Sequence, residues 1–453
     1  MKLNNLFKLA LALVICANTL DGMSQTIINK GANIVVGSNA YLIGHHYVND
    51  KGTNNGTISI DGTITLSGNW TNNADNNVFI SDDTPEGTVI LKSDNEQLIG
   101  GVSPSNFENL TIESGTKKLM VNNNQVNGTL ASTNAILDLN KQKIIVNNKS
   151  TDAIAFSGGY IKSETSDTYG EVQWNIANNT GEYKIPFANN TGEDLEVIFN
   201  AKSMDNNTGA VVFATYPTTD GASDPLPIGV AAPYTKKAER IADRYWEVNP
   251  INYGSVSYDL TFNYTPEDID ATENPKIREP KLKMVTYSPN SSNSNKWKGM
   301  KAAGTQSGTQ VKADALTVIN KWWTLVDAES KYYIPNVITP NSDGKNDLFG
   351  VTKPDDEMTD GRKDLGFEGE IASVDAKIFN RWGKIIKKWE GTGDDETAYG
   401  STTGGVVLGG TWDGKNEGGK VVADGTYFWV FDIVDDEGET HNFQGTINVY
   451  NNK

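Results

Sequence analysis

Short β-branched runs, each opened by a glycine and cut off by asparagine-rich turns, recur through the first third of this chain and limit what it can fold into. Gly56-Thr57-Ile58-Ser59-Ile60, Gly62-Thr63-Ile64-Thr65-Leu66, Gly87-Thr88-Val89-Ile90-Leu91 and Gly128-Thr129-Leu130 are variations on one theme. Leu110-Thr111-Ile112, Ile136-Leu137-Asp138-Leu139 and Ile144-Ile145-Val146 fit the same scheme. Alternation of apolar and polar residues over windows this short marks half-buried strands. Asp61-Gly62, Asn54-Asn55-Gly56 and Asn122-Asn123-Asn124 supply the turns between them. Two architectures satisfy residues 25–165. In a parallel β-solenoid each coil buries its apolar face only by stacking on its neighbours, and asparagines stacked at the corners satisfy turn backbone groups. An antiparallel β-sandwich is the alternative. The repeat is irregular and fixes no period; the solenoid is the preferred reading.

Residues 166–330 change character, with more aromatic and charged residues and longer strands. The runs are Glu171–Ile176, Leu195–Phe199, Ala210–Ala214, Arg244–Val248, Ser257–Phe262, Leu282–Tyr287 and Lys321–Val326. Strands in this number over this length point to a β-sandwich. Ala238–Asp243 has the composition of a helical turn or two, and nothing else argues for helix.

At 453 residues the chain is long enough for about three domains. Lys2 and Lys8 flank the start of an apolar run, Leu9–Ala17, too short to span a bilayer. Gly22-Met23-Ser24 places small residues where a signal peptidase reads, so residues 1–24 are expected to be a signal peptide cleaved between Ser24 and Gln25. No later stretch is apolar enough to span a membrane, so no transmembrane segment is expected after cleavage. The only cysteine, Cys16, lies inside the apolar run behind the bulky Ile15, which argues against lipidation. The mature chain would hold no cysteine, which removes disulfides, thiolate metal sites and cysteine nucleophiles. Removing Lys2, Lys8 and Asp21 takes 39 basic and 57 acidic residues to 37 and 56, a net charge of −19. That balance repels phosphate backbones and disfavours nucleic acid as a partner.

The last third reads as a further sandwich. Tyr427, Trp429, Phe431 and Ile433 alternate on one strand face, with Val430 and Asp432 opposite. Asp424-Gly425 and Asp413-Gly414 have the chemistry of tight turns, where glycine accepts positive φ. Asn380-Arg381-Trp382-Gly383 joins two strands, and the Arg381 guanidinium is placed to stack on a neighbouring ring. Ile447 and Val449 put a strand within a few residues of the chain end.

The motifs of this region occur in a fixed order. Pro335, Asn336, Thr339, Pro340, Asn341, Asp343, Gly344, Asn346 and Asp347 lie in the first. Asn380, Arg381, Trp382 and Gly383 form the second, and Trp412, Asp413 and Gly414 the third. Asp424, Gly425, Thr426 and Tyr427 follow, and Gly445 lies in the last. The series resembles the gliding-motility-associated C-terminal domain, the type B sorting domain of the bacterial type IX secretion system, over residues 331–453. The resemblance implies an immunoglobulin-like β-sandwich that addresses the chain to the type IX translocon. It implies an outer-membrane partner barrel and a secreted or cell-surface destination across the outer membrane. Members of the family are often adhesins or surface filaments.

The expected architecture is therefore all-β: signal peptide 1–24, solenoid-like domain 25–165, β-sandwich 166–330 and sorting domain 331–453. Asn341, Asp343 and Asp347 place oxygen side chains around Gly344 as calcium loops do. Thr339 sits where the first ligand belongs and Gly350 where the last does, so consecutive Asx turns are the simpler account. No other cofactor is expected. His45 and His46 point to opposite faces if they lie on one strand, and neither a Ser-His-Asp order nor a nucleophile elbow is present. Of each pair Trp322-Trp323 and Tyr245-Trp246, one ring faces outward. It either stacks on a sugar or packs under loops, the ordinary fate of large aromatics; Trp70, Trp174 and Trp297 are read the same way. The expectation is a non-catalytic, adhesin-like or surface-assembly protein whose partners include surface glycans or other surface proteins. The alternative is a carbohydrate-binding or polysaccharide-degrading secreted protein.

Overall fold

The three-dimensional structure is a computed structural model. It describes residues 25–451 except 53, 75–77, 81–86, 116, 166–167, 219–225, 231–240, 270–276, 278, 280–281, 289–296, 300–304, 328–331, 355–362, 365–370, 394–396, 399–404 and 436–439. The expected signal peptide, 1–24, thus lies outside the described residues. The fold is all-β, and among the described residues no helix is long and apolar enough to cross a membrane. Contacts divide the chain into two compact units, the first reaching Asp327 and the second beginning at Ala328.

The first unit opens with a β-solenoid of about six turns, so the sandwich alternative for this region does not hold. Its first coil consists of β1 (Thr26–Asn29), β2 (Asn33–Val36) and β3 (Tyr41–Gly44). Each starts one side of a three-sided stack of parallel strands. The β1 side continues through His46–Asn49, Trp70–Asn72, Gln97–Gly101 and Lys117–Met120. The β3 side continues through Thr63–Leu66, Thr88–Lys92 and Asn109–Glu113. On the third side Asn106–Phe107, Asn124–Val126, Lys143–Val146 and Glu171–Trp174 pair in parallel. Two long strands, Leu130–Asp138 and Ile154–Lys162, turn a corner without breaking and serve two sides each.

Coil length explains why the sequence fixes no period. Thr26 pairs with His46, Trp70 with Ile99 and Lys117 with Ile136, offsets of 20, 29 and 19 residues. The strands keep register while the corners absorb the difference. Inside, alternate residues stack as apolar columns, and Trp70 lies between Tyr47 and Phe79 with ring centroids 4.5 and 5.4 Å away.

The expected corner asparagines form two ladders. Asn29, Asn49 and Asn72 are register partners and all buried. The Asn49 amide donates to Gly56 O at 3.1 Å and to Asn72 Oδ1 at 3.2 Å, and the Asn72 amide donates to Pro104 O at 2.8 Å. At a second corner Asn175 donates to Asn147 Oδ1, and Asn147 to Asn127 Oδ1, each at 2.7 Å. A turn carbonyl buried in an apolar stack costs free energy unless it is paired. A carboxamide carries both donor and acceptor, so it satisfies one corner and passes a bond to the next.

The solenoid does not end; it becomes the sandwich. Glu171–Trp174 pairs in parallel with Lys143–Val146 on one side and antiparallel with Ala210–Pro217 on the other. The sheet then continues antiparallel through Ile241–Ile251, Trp322–Asp327, Leu282–Tyr287 and Trp297–Gly299, nine strands among the described residues. A second sheet of five strands, Gly181–Ile185, Val197–Met204, Val256–Asn263, Gln310–Leu316 and Thr305–Ser307, faces it. Trp246 stacks on Phe262 at 4.7 Å and Phe199 on Tyr258 at 4.6 Å in the core between them, which is continuous with the solenoid core. Ile241–Asp243, expected within a helical turn, instead begin the strand Ile241–Ile251. Cross-strand pairing, with Ile241 opposite Val326, outweighs local helix preference there. Residues 238–240 lie outside the described residues.

A buried ion triad ties the solenoid exit to the sandwich. Arg244 pairs through Nη1 with Glu164, just beyond the strand Ile154–Lys162, and through Nε with Asp268 Oδ1 at 2.9 Å. The second Asp268 oxygen accepts the Thr265 amide at 2.7 Å. Such a group is costly to break because removing one partner strands the others away from water.

Asn49→Ala is expected to lower the stability of the first unit by about 1–3 kcal/mol, the cost of orphaning a buried polar group. Urea denaturation measures it. An unchanged midpoint would show that the ladder contributes nothing.

Candidate functional site

Among the described residues the second unit is a sandwich of two five-stranded sheets. One runs Lys363–Asp364, Tyr333–Ile334, Phe349–Pro354, Gly405–Trp412, Thr397–Ala398. The other runs Val337–Ile338, Thr440–Val449, Gly425–Asp435, Ile371–Phe379, Ile385–Thr392. Tyr427, Trp429, Phe431 and Ile433 point inward, and Val430 and Asp432 point out, as the alternation requires. Phe349 centres the core, 5.7 Å from Phe431 and 6.1 Å from Trp429.

The motif residues mostly close this sandwich. Pro335 and Asn336 carry the chain from one sheet to the other, and Val337–Ile338 then pairs in parallel with the last strand, opposite Asn448 and Val449. The first and last motifs are thus hydrogen-bonded neighbours: Tyr450 N donates to Ile338 O, and Asn448 N to Asn336 O, both at 3.0 Å. Gly414 has φ +73 and a Cβ there would lie 2.7 Å from Pro340 Cγ, so the third motif packs on the first. Trp412, fully buried, donates from Nε1 to Lys415 O at 2.7 Å. Asp424 accepts the Asn451 amide at 2.9 Å, and the Tyr427 hydroxyl donates to Ala423 O at 2.8 Å. Thr426 Oγ1 bonds Asn448 Oδ1 at 2.7 Å across the strand pair that Gly425 begins. Gly445 sits opposite Trp429, whose ring takes the space a Cβ would need, 2.5 Å away.

The loop considered for calcium is organised by its own amides. Asp347 accepts Ser342 N at 2.7 Å and Gly344 N at 2.8 Å, one on each oxygen. Asp343 accepts Lys345 N at 2.8 Å and the Asn341 carboxamide at 3.1 Å, while Asn341 Oδ1 accepts Asp343 N at 3.0 Å. Thr339 N donates to Asn346 O at 2.7 Å and closes the loop. These are consecutive Asx turns, with Ser342, Gly344 and Asn346 at positive φ. The loop is held together by its own amides, each Asp347 oxygen accepting one of them, which is the simpler of the two arrangements expected from the sequence. Among the described residues no three His, Cys, Asp or Glu side chains cluster as metal ligands.

The second motif alone among these turns a large aromatic ring to solvent. Asn380 Oδ1 accepts the amides of Trp382 and Lys384, both at 3.0 Å, and Gly383 takes φ +74. The turn holds the Arg381 guanidinium 5.1 Å from the Trp382 ring, the stacking expected, and leaves Trp382 79% exposed. Beside it Phe379 is the register partner of both Ile385 and Phe428, and these last two are exposed. A cation-capped tryptophan thus lies next to an exposed apolar cross-strand row.

Histidine chemistry differs from the expectation in geometry. His45 lies at the bend before His46–Asn49, so the rings meet edge to face, 4.2 Å apart, instead of pointing apart. His46 Nδ1 accepts the Asn69 amide at 2.8 Å, and burial lowers the pKa of His46. The paired aromatics Trp322, Trp323, Tyr245 and Trp246 are all buried, as are Trp70, Trp174 and Trp297, which is the packing outcome. One cluster was not foreseen. On the sandwich's outer face Glu247 pairs with Lys321 at 3.1 Å, Glu171 lies 3.9 Å from the same ammonium, and Tyr169 meets Trp322 edge to face at 5.4 Å. No spacing reveals it, because its members come from three separate segments. Burial pushes the Glu247 carboxyl up to about 7 against the pull of Lys321, with Glu171 adding to the rise.

The second unit is thus a β-sandwich whose first and last motifs are neighbours in one sheet, with the Trp382 ring turned to solvent. The family model described as the CHU_C Type IX secretion signal domain matches residues 332–449. These residues are a C-terminal sorting domain of the type IX secretion system, and they direct export to the cell surface or the medium. No curated protein matches the chain.

The folded Glu247 pKa lies above the ordinary 4.5, so its stabilisation is complete below that value and is lost as pH rises through about 7. Glu247→Gln is expected to flatten the fall in stability of the first unit between about pH 5 and pH 8, by no more than about 3 kcal/mol. Urea midpoints at the two pH values measure it, and parallel slopes for the variant and its parent would refute it.

Proposed function

We propose that this chain is a non-catalytic, adhesin-like surface protein, exported by its sorting domain and displayed by a rigid payload. The observation that carries the reading is the strand Glu171–Trp174, shared by solenoid and sandwich, which joins the described strands of both into one hydrogen-bonded body. A body without an internal joint holds its exposed faces in fixed relation, which suits adhesion or assembly more than chemistry. Burial of the paired tryptophans favours this over sugar stacking on those rings. In this reading the chain folds in the periplasm and crosses the outer membrane through the translocon with an outer-membrane partner barrel. The Arg381-Trp382 turn and the Ile385–Phe379–Phe428 row form the surface that the machinery reads.

Cells carrying the chain without residues 331–453 are expected to keep it inside the outer membrane, as fractionation would reveal. Arrival of the truncated chain outside would sink the export reading. Trp382→Ala is expected to cut export about tenfold, as loss of one interface anchor does. Its side chain is exposed, so the thermal midpoint should not move. Undiminished export of that variant would remove the turn from the recognition surface.

A further inference from the structure

The two ends of the solenoid differ. At the far end Ile161, Val172 and Trp174 are fully buried because the ladder runs on into the sandwich. At the near end β1, β2 and β3 are the outermost strands of their ladders. Their inward side chains Ile27, Ile34 and Leu42 stay only half-buried. Their register partners one coil further in, Tyr47, Ile58 and Ile64, are fully buried. The mouth of the core therefore lacks one more layer among the described residues. Outside the coil, Ile28, Val35, Tyr41 and Ile43 are exposed by 54–70%.

This edge also lacks the usual devices against pairing. Exposed strand edges are ordinarily blunted by lysine, proline or a bulge, and the outer strand Ile385–Thr392 of the sorting domain carries Lys387 and Lys388. The three strands of the first coil hold no charged residue and no proline. The one charge in residues 25–44, Lys30, is paired with Asp50 at 3.9 Å. A chain of net charge −18 repels its own copies over most of its surface. Its neutral first coil is where two copies meet without that repulsion.

We propose that two copies of this chain join end to end through their first coils, about a two-fold axis perpendicular to the solenoid axis. A two-fold sets the strands of one copy against those of the other, so the open edges pair antiparallel. The strand on the axis meets its own copy, and the remaining two meet each other. β1, β2 and β3 are four residues each, so all three pairings match in length. Each copy covers the half-buried Ile27, Ile34 and Leu42 of the other. The far end of each solenoid is taken by its own sandwich, so this contact closes at two copies and builds no filament. The pairing rests on the solenoid alone and holds whether or not the sorting turn is read as proposed.

The test uses the chain from Gln25 to Lys453, followed by sedimentation equilibrium into the micromolar range. Twice the chain mass is expected. The triple variant Ile28→Lys, Val35→Lys, Ile43→Lys sets like charges across the axis whichever face lies on it, and should weaken association at least about tenfold. These side chains point to water, so circular dichroism should be unchanged. Mixing it with the matching Glu triple variant should restore the double mass. A monomer at every concentration, association of the Lys variant equal to that of its parent, or no recovery in the mixture would each overturn the proposal.

Discussion

Parallel coils impose a debt of burial: each leaves its apolar side chains and half its strand bonds open until the next coil arrives. The whole first unit follows from how that requirement is met at each step. Inside, Tyr47, Trp70 and Phe79 hand the stack from coil to coil. At the exit Glu171–Trp174 satisfies it with an antiparallel partner, which converts solenoid into sandwich within one strand. Glu164, Arg244 and Asp268 then fix the angle of that conversion with charges that have no access to water.

The sorting domain solves a different problem, that of closing early and late segments into one body. Its first and last motifs are neighbours in one sheet, and Pro340 packs on Gly414 of the third. Most of what makes this sequence recognisable is therefore fold chemistry: a sheet switch, Asx turns, a glycine under an indole. Only the Asn380–Gly383 turn presents a large aromatic ring to solvent.

Much of this was legible beforehand, and the reasons are local. Strand faces such as Tyr427 to Ile433 follow from alternation, and the corner asparagines from their chemistry. Coil period was not legible, because offsets of 19 to 29 residues hide in the corners while the ladder stays in step. Long-range partners were equally hidden: Glu164 and Arg244 are 80 positions apart. The helical expectation at Ala238–Asp243 considered only propensity, and Val326 across the sheet decided the matter for Ile241. His45 and His46 meet because a bend separates them, which no pattern of two residues discloses.

The variable corners have a further consequence. Since strands stay aligned while connecting segments range freely in length, growth or trimming of those segments leaves the inner columns untouched. Natural variation in proteins built this way should therefore gather along the outline of the prism, altering what a neighbour touches while the stacked interior keeps its pattern.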